Sequence, residues 1–165
     1  MPMLLKGSCR CGGVRFEVAS HTPVPYQLCY CSTCRKQQGG GGYAINLGAD
    51  AGTLKIEGEQ HVGLYRAEMA DDEHPQCEIS SGERRFCREC ASALWLYDPN
   101  WPELVHPFAS AIDTDLPQAP ERVHLMLKYK ASWVVPDIRD NDAAFDLYPE
   151  ESIADWHELR GLRVD

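Results

Sequence analysis

The 165-residue chain lacks several features that mark common classes of function. No short window is rich in Lys or Arg and the net charge is −9, so we expect no nucleic-acid partner, because phosphates require a basic face. No apolar run is long enough to span a bilayer, and residues 1–7 lack the apolar segment of a signal peptide. These absences predict a soluble, cytoplasmic protein with no membrane partner.

The chain also has no internal repeat, no linker and little helical periodicity before its last segment. Short apolar or alternating runs are instead separated by glycine, proline or charge, which is typical of strands and turns. We therefore predict a mainly β fold of short antiparallel sheets, with a hairpin turning at Ser81-Gly82-Glu83. The predicted strands are residues 14–18, 43–47, 53–56, 62–66, 77–80, 84–87, 93–97, 105–109, 123–127 and 132–135.

The length of the chain is that of one domain. Its negative charge is concentrated at the C-terminus. Residues 137–165 hold nine acidic and three basic residues, a net charge of −6, which leaves −3 for residues 1–136. We predict a domain over 1–136 and an acidic extension over 137–165 that packs on it. The acidic turn at 149–151 and the shared face of Ile153, Trp156 and Leu159 predict a short helix in this extension, capped by Gly161.

Seven of the eight cysteines fall into three short groups. Thiolates a few residues apart can converge on one tetrahedral ion, whereas disulfides between such near neighbours are strained. In a reducing cytosol, we expect clustered thiols to be metal ligands or catalytic groups. Four ligands close a structural zinc site, and the remaining three leave a fourth position for water or substrate, so we predict two zinc ions per chain. The groups are Cys9-x-Cys11, Cys29-x-Cys31-x-x-Cys34 and Cys87-x-x-Cys90.

Spacing alone does not decide which groups share an ion. In one alternative, the pairs Cys31/Cys34 and Cys87/Cys90 form a zinc ribbon and the other cysteines are incidental. The 52 residues between these pairs disfavour this alternative, because ribbons usually separate them by roughly 15–20 residues.

Three stretches of the sequence resemble the glutathione-dependent formaldehyde-activating family, which includes centromere-protein-V relatives. The resemblance covers about residues 4–135, and the acidic extension lies outside it. Two residues depart from the family pattern without removing a ligand: Tyr30 stands where members often carry His, and Ala91 where Gly is usual. The segment 104–122 also matches the pattern poorly. The three stretches are residues 7–16, 29–36 and 85–90.

The resemblance implies a β-tent fold with two zinc ions that have different roles. The structural zinc would be held by Cys9, Cys11, Cys87 and Cys90. The catalytic zinc would be held by Cys29, Cys31 and Cys34, which agrees with the division into four and three ligands.

A zinc ion with three thiolate ligands carries a net charge of about −1 and is a mild Lewis acid that suits an exchangeable thiol. A metal-bound thiol is deprotonated near neutral pH, and the thiolate attacks carbonyl carbon. The resemblance supplies glutathione and formaldehyde, which predicts a carbon–sulfur lyase acting on S-(hydroxymethyl)glutathione. Arg35 and Lys36 could bind a carboxylate of the tripeptide, although adjacent surface cations are often only solvated.

Two other functions remain open. The same zinc could serve a hydrolase of imines or other small adducts. Alternatively, a His or Cys77 closes the second site, and the chain is a non-catalytic, zinc-stabilised binding module that interacts through its acidic tail.

We assign structural roles to the remaining candidates. For the isolated histidines at 61, 74, 106 and 124, a structural role is the simpler interpretation. Cys77, Trp95, Trp133 and Trp156 are predicted to lie in the core. The glycines at 39–42 are predicted to form a flexible loop beside the metal.

Overall fold

A computed structural model of the chain describes residues 2–38 and 40–162. In these residues, no helix is long and apolar enough to cross a membrane. The α-helices are α1 (Ser32–Gln38) and α2 (Ile153–Leu159), and four single-turn 3₁₀ helices in the described part of the chain lie between strands. The strands are β1 (Met3–Ser8), β2 (Arg15–Ser20), β3 (Tyr26–Cys29), β4 (Ala44–Asn46), β5 (Ala49–Asp50), β6 (Lys55–Glu57), β7 (Val62–Tyr65), β8 (Glu68–Asp71), β9 (His74–Ile79), β10 (Glu83–Cys87), β11 (Ala93–Tyr97), β12 (Leu104–Pro107), β13 (Arg122–Leu125) and β14 (Ala143–Ala144).

The strands of the described residues form four small sheets. Two are antiparallel throughout, with the strand orders β1-β2-β6 and β5-β12-β11-β10-β7. A third has the order β14-β13-β3-β4, and in it β13 runs parallel to both β3 and β14. The fourth is the β8-β9 hairpin. The mainly β prediction is confirmed, while the parallel pairs depend on long crossovers that strand periodicity does not reveal.

The main core lies between the first two sheets. Alternation in β2 buries Phe16 and Val18 on one face, and Phe16 meets the Trp95 ring edge-on at a centroid distance of 5.1 Å. Gly7 on β1 faces Phe16 across the sheet, and a Cβ at position 7 would lie 2.4 Å from the Phe16 ring. Burial of each large apolar side chain stabilises the fold by about 1.5–3 kcal/mol.

The predicted C-terminal helix is confirmed, and its interface with the sheets is narrow. Ser152 caps α2 in a reciprocal capping box with Asp155, which satisfies donors of the first helical turn. Trp156 is buried against Val24 and Ala119, whereas Leu159 is exposed. The expectation that Leu159 shares the buried face is wrong, because two helical turns bring only Trp156 fully into the core. The predicted domain boundary at residue 136 stays a prediction.

The predicted hairpin between residues 77–80 and 84–87 is wrong. Strand β9 pairs with β8, and β10 pairs with β7 and β11. The Asp71 carboxylate accepts hydrogen bonds from the main-chain N–H of Glu73 and His74, which fixes a tighter turn and an earlier partner for β9.

Two residues predicted in the core lie on the surface. Cys77 is exposed on β9, because the β8-β9 hairpin leaves most of both its faces to solvent. Trp133 is 64% exposed, and residues 132–135 form no strand, since Val134 closes a turn onto Ala131. Trp95 and Trp156 are buried as predicted.

The glycine run is partly described. Gly39 lies outside the described residues. Gly42 adopts a φ of +88° and approaches Val134 so closely that a Cβ would clash. The prediction of a flexible loop stays a prediction.

Candidate metal centres

The first candidate metal centre, the four-cysteine cluster, combines Cys9, Cys11, Cys87 and Cys90. The first two follow β1 in a tight turn, and the second two lie at the end of β10 and in the turn that follows it. The four Sγ atoms lie within 4.8 Å of one another. The Cys9–Cys11 and Cys11–Cys87 Sγ distances are 3.5 and 3.8 Å. Four thiolates around tetrahedral zinc, with Zn–S bonds near 2.3 Å, lie roughly 3.8 Å apart, so this donor set fits zinc.

The second candidate, the three-cysteine cluster, combines Cys29, Cys31 and Cys34. Cys29 ends β3, Cys31 precedes α1, and the first turn of α1 brings Cys34 back over Cys31. The Cys29 and Cys31 sulfurs lie 3.4 Å apart, and the main-chain N–H of Cys34 donates to the Cys31 sulfur at 3.4 Å. Helix α1 has no predicted counterpart, because it is short and buries only Cys34.

The thiols of the three-cysteine cluster influence one another's ionisation. Hydrogen bonds to Cys31 and Cys34, together with burial, raise the pKa of Cys29. Hydrogen bonds from Cys29 and Cys34 lower the pKa of Cys31. Cys31 is therefore the most acidic thiol of this cluster. A bound divalent cation would favour the thiolate form of all three.

No fourth ligand joins this cluster within residues 2–38 and 40–162. Cys77 lies exposed in the β8-β9 hairpin, outside both clusters. Three of the isolated histidines have other hydrogen-bond partners, as a structural role predicts: His61 contacts Glu89, His74 contacts Asp71, and the Nδ1 of His106 lies 3.0 Å from the Leu47 carbonyl oxygen. The closed second site of the binding-module hypothesis thus gains no support. The zinc-ribbon alternative fails as well, since Cys31 and Cys34 lie in a different cluster from Cys87 and Cys90.

Arg84 on β10 contacts the three-cysteine cluster, whereas Arg35 and Lys36 were the candidates from the sequence. Its two terminal nitrogens lie 3.5 and 3.6 Å from the Cys34 sulfur. Arg35 is half-buried, and its buried Nε has no hydrogen-bond partner among the described residues. Lys36 is exposed. In sequence, Arg84 and Arg85 form a pair of adjacent cations just before Cys87, as Arg35 and Lys36 do just after Cys34, and a small anionic ligand could approach either pair.

A cavity of about 350 Å³ adjoins Arg84 and is also lined by Gln37 and Phe86. A second cavity, of about 500 Å³, shares Gln37 and reaches Cys9 and Cys90 of the four-cysteine cluster. Both volumes fall in the range of about 300–1,000 Å³ that is typical of small-molecule sites. A small ligand that enters beside Arg84 thus meets polar groups on α1 and β10.

Sequence reasoning missed the partners of Tyr30. The Tyr30 hydroxyl lies 2.8 Å from the Nδ1 of His124, and the Nε2 of His124 lies 3.1 Å from a carboxylate oxygen of Asp142. All three side chains are buried. Since 94 residues separate Tyr30 from His124, no local pattern could have revealed this contact.

The chain is similar in sequence to known proteins. Residues 4–128 match the family described as "Glutathione-dependent formaldehyde-activating enzyme". The chain is 59% identical over 160 residues to the "Putative glutathione-dependent formaldehyde-activating enzyme" of Halomonas elongata, which covers 97% of this chain and 98% of that protein. It is also similar to a crystal structure of a Rhodobacter sphaeroides protein, with a TM-score of 0.48, 23% identity and coverage of 68% of this chain and 91% of that one. The chain therefore belongs to the family of glutathione-dependent formaldehyde-activating enzymes.

Proposed function

We propose that the chain is a zinc-dependent carbon–sulfur lyase that forms or cleaves an adduct between glutathione and a small aldehyde, of the S-(hydroxymethyl)glutathione type. The observation that carries this proposal is the three-cysteine cluster, which gathers three thiol ligands with no fourth from the described residues. Family membership supplies the substrate class. In this proposal the protein is cytoplasmic, and its partner is a small glutathione-related molecule.

Two zinc ions would have different tasks. The four-cysteine cluster would hold a structural ion, because its ligands tie the β1–β2 turn to the end of β10 and complete a tetrahedral set. The three-cysteine cluster would hold the catalytic ion. Zinc there would supply a positive charge that favours the thiolate form of a sulfur ligand near neutral pH.

Cleavage of a hydroxymethyl thioether releases an aldehyde and a thiol. The carbon–sulfur bond breaks with its electron pair on sulfur, the hydroxyl loses its proton, and that oxygen becomes the aldehyde carbonyl. The reverse reaction forms the same bond by attack of the thiolate on carbonyl carbon. Neither direction requires an oxidant or a reductant.

The residues around the cluster suit an anionic tripeptide. Arg84 places a fixed positive charge next to Cys34, and a guanidinium can bind a carboxylate in a bidentate manner. Arg35 and Lys36 lie on α1, the helix that also carries Cys34. We propose that these three cations bind the glutathione moiety, which would orient its sulfur toward the three-cysteine cluster.

Exchange spectroscopy by NMR tests the proposal, because the spontaneous reaction between glutathione and formaldehyde is reversible and sets a background rate. We expect the zinc-loaded protein to accelerate exchange between free glutathione and its hydroxymethyl adduct. Cys31→Ser should abolish the acceleration. Cys77→Ser is the matched control, since it removes an exposed thiol outside both clusters, and it should leave the rate unchanged.

Two outcomes would contradict the lyase proposal. One is an exchange rate at the spontaneous level in the zinc-loaded protein. The other is equal rates for Cys31→Ser and Cys77→Ser. Turnover of an imine substrate in place of the glutathione adduct would favour the hydrolase alternative.

A further inference from the structure

The segment from Cys29 to Cys31 is fixed in place by contacts of its middle residue, Tyr30. Tyr30 stands between these two cysteines and is almost wholly buried. Its hydroxyl lies 2.8 Å from the Nδ1 of His124, and the two rings stack at a centroid distance of 5.8 Å. Any displacement of Tyr30 would therefore move the cysteines on both of its sides.

The second ring nitrogen of His124 also has a buried partner. The imidazole is 0% exposed, and its Nε2 lies 3.1 Å from a carboxylate oxygen of Asp142. The Asp142 side chain is also 0% exposed. Asp142 belongs to the acidic extension, beyond the family match that ends at residue 128.

The donors and acceptors of this arrangement are consistent with one another. An ionised Asp142 can only accept hydrogen bonds, so the His124 Nε2 donates to it. The Nδ1 of a neutral imidazole then accepts the hydroxyl proton of Tyr30. Side chains of Arg122 and Arg139 also donate to Asp142, at 2.8 and 3.0 Å, so its buried charge is compensated.

Two ladders of main-chain hydrogen bonds support the same geometry. Strand β13 pairs with β3, which places His124 opposite Leu28, and the Tyr30 N–H donates to the Leu125 carbonyl at 3.1 Å. On its other edge β13 pairs with β14, and the Phe145 N–H donates to the His124 carbonyl at 2.8 Å. The sheet thus connects the extension to the strand that ends at Cys29.

We infer that Asp142, His124 and Tyr30 form a positioning chain, through which the acidic extension fixes the spacing and orientation of Cys29 and Cys31 in the three-cysteine cluster. A buried polar network is costly compared with apolar packing, and when all its members are satisfied it specifies one geometry. The metal-binding part of this inference rests on the proposed function. The ordering of the cysteine loop does not.

Peptide-resolved alkylation tests the positioning chain, because it reports each cysteine cluster separately. Tyr30→Phe removes one hydroxyl and keeps the packed ring, and Asp142→Asn removes the terminal charge. In zinc-loaded protein, we expect both variants to speed alkylation of Cys29, Cys31 and Cys34 about tenfold, the lower end of the usual effect of such outer partners on metal affinity. Protection of the four-cysteine cluster should stay at the wild-type level.

Matched controls exist for both variants. Asp137→Asn removes another carboxylate that pairs with Arg122 but is 88% exposed, and Tyr43→Phe removes a hydroxyl from the ring that packs on Tyr30. Both should behave as wild type. In the double variant Tyr30→Phe/Asp142→Asn, we expect no more than the larger single effect, since the two changes interrupt the same chain.

Tyr30→Phe decides the outcome, since it is the variant least able to disturb folding. Wild-type protection in Tyr30→Phe would overturn the positioning chain, and so would equal loss of protection at both clusters. The metal-free protein separates this inference from the proposed function. If the wild-type cluster binds no zinc, the lyase proposal fails, and the positioning chain still predicts faster alkylation of buried Cys29 in Tyr30→Phe.

Discussion

The Arg84 guanidinium donates from both terminal nitrogens to the Cys34 sulfur, at 3.5 and 3.6 Å. Zinc with three thiolate ligands carries a net charge of about −1, so one guanidinium brings the site close to neutrality. Strand β10 thereby serves both candidate centres, since Cys87 follows Arg84 by three residues, about 10 Å along an extended chain. A single strand thus contributes a residue to each candidate centre.

Replacement of Arg84 by methionine should destabilise the zinc-loaded protein by about 2–3 kcal/mol, because the partly buried thiolate charge loses its hydrogen-bonded partner. Arg84→Lys should recover only part of the lost stability, since lysine keeps the positive charge but lacks the planar guanidinium group that donates from two nitrogens. The measurement is denaturant unfolding with zinc present. Arg85→Met, on the same strand and paired with Glu83, is the control. Equal stability of Arg84→Met and Arg85→Met would refute the role of Arg84.

The two cysteine clusters should respond differently to loss of a ligand. Cys87→Ser should unfold the domain at room temperature, because a structural zinc contributes on the order of 10 kcal/mol, comparable to the whole stability of a domain. Cys31→Ser should remain folded and lose one zinc. Circular dichroism, which reports folding, and metal analysis, which reports bound zinc, distinguish the two variants. A folded, metal-poor Cys87→Ser protein with an unchanged melting temperature would contradict the structural role of the four-cysteine cluster.

Asp142 should stabilise the protein in a pH-dependent manner. Burial alone would raise the pKa of Asp142, but hydrogen bonds from Arg139 and Arg122 hold it well below its usual value. Because the folded-state pKa is depressed, the stabilisation is fully present above the unfolded-state pKa of about 3.9, and it is lost as the pH falls through the lower folded-state pKa.

Asp142→Asn should therefore lower the free energy of unfolding by about 2–4 kcal/mol at pH 7. This difference in stability from wild type should shrink below about pH 4. Both proteins carry the same cysteines, so acid release of metal affects both and largely cancels in the difference. Denaturant unfolding from pH 7 to pH 3 measures this gap. A gap that widens with acid would show that Asp142 is not the titrating group.

Two tryptophans should differ sharply in their contribution to stability. Trp95 packs against Phe16 in the main core, so Trp95→Ala should cost about 3–5 kcal/mol. Trp133 is mostly exposed, and Trp133→Ala should cost less than about 1 kcal/mol. Thermal unfolding of the two variants checks this. Comparable losses would place Trp133 in the core, as its sequence suggests.

Local spacing predicted the features that depend on neighbouring residues. The cysteine groups were recognisable because ligands two or three residues apart can meet at one ion whatever the rest of the fold. Strand β2 was recognisable because only one of its faces is buried, and β11 because it is a continuous apolar run in which Leu94 and Trp95 are both buried. The burial of Cys77 was predicted wrongly because the β8-β9 hairpin leaves most of both its faces to solvent. Alternation in its sequence therefore does not indicate a buried face.

The remaining features depend on contacts between distant parts of the chain. Which cysteine groups share a cluster came from family resemblance, since no local rule joins Cys11 to Cys87. The contact between Arg84 and Cys34 spans 50 residues, and that between Tyr30 and His124 spans 94. Such partners are fixed by sheet register, which requires the structure.

Cobalt substitution tests most directly the central claim that the three-cysteine cluster accepts an incoming sulfur. The visible spectrum of the cobalt-loaded protein would be recorded with and without glutathione, in wild type and in Cys31→Ser. We predict that glutathione intensifies the thiolate-to-cobalt absorption of the wild type and leaves Cys31→Ser unchanged. A wild-type spectrum indifferent to glutathione would contradict the account.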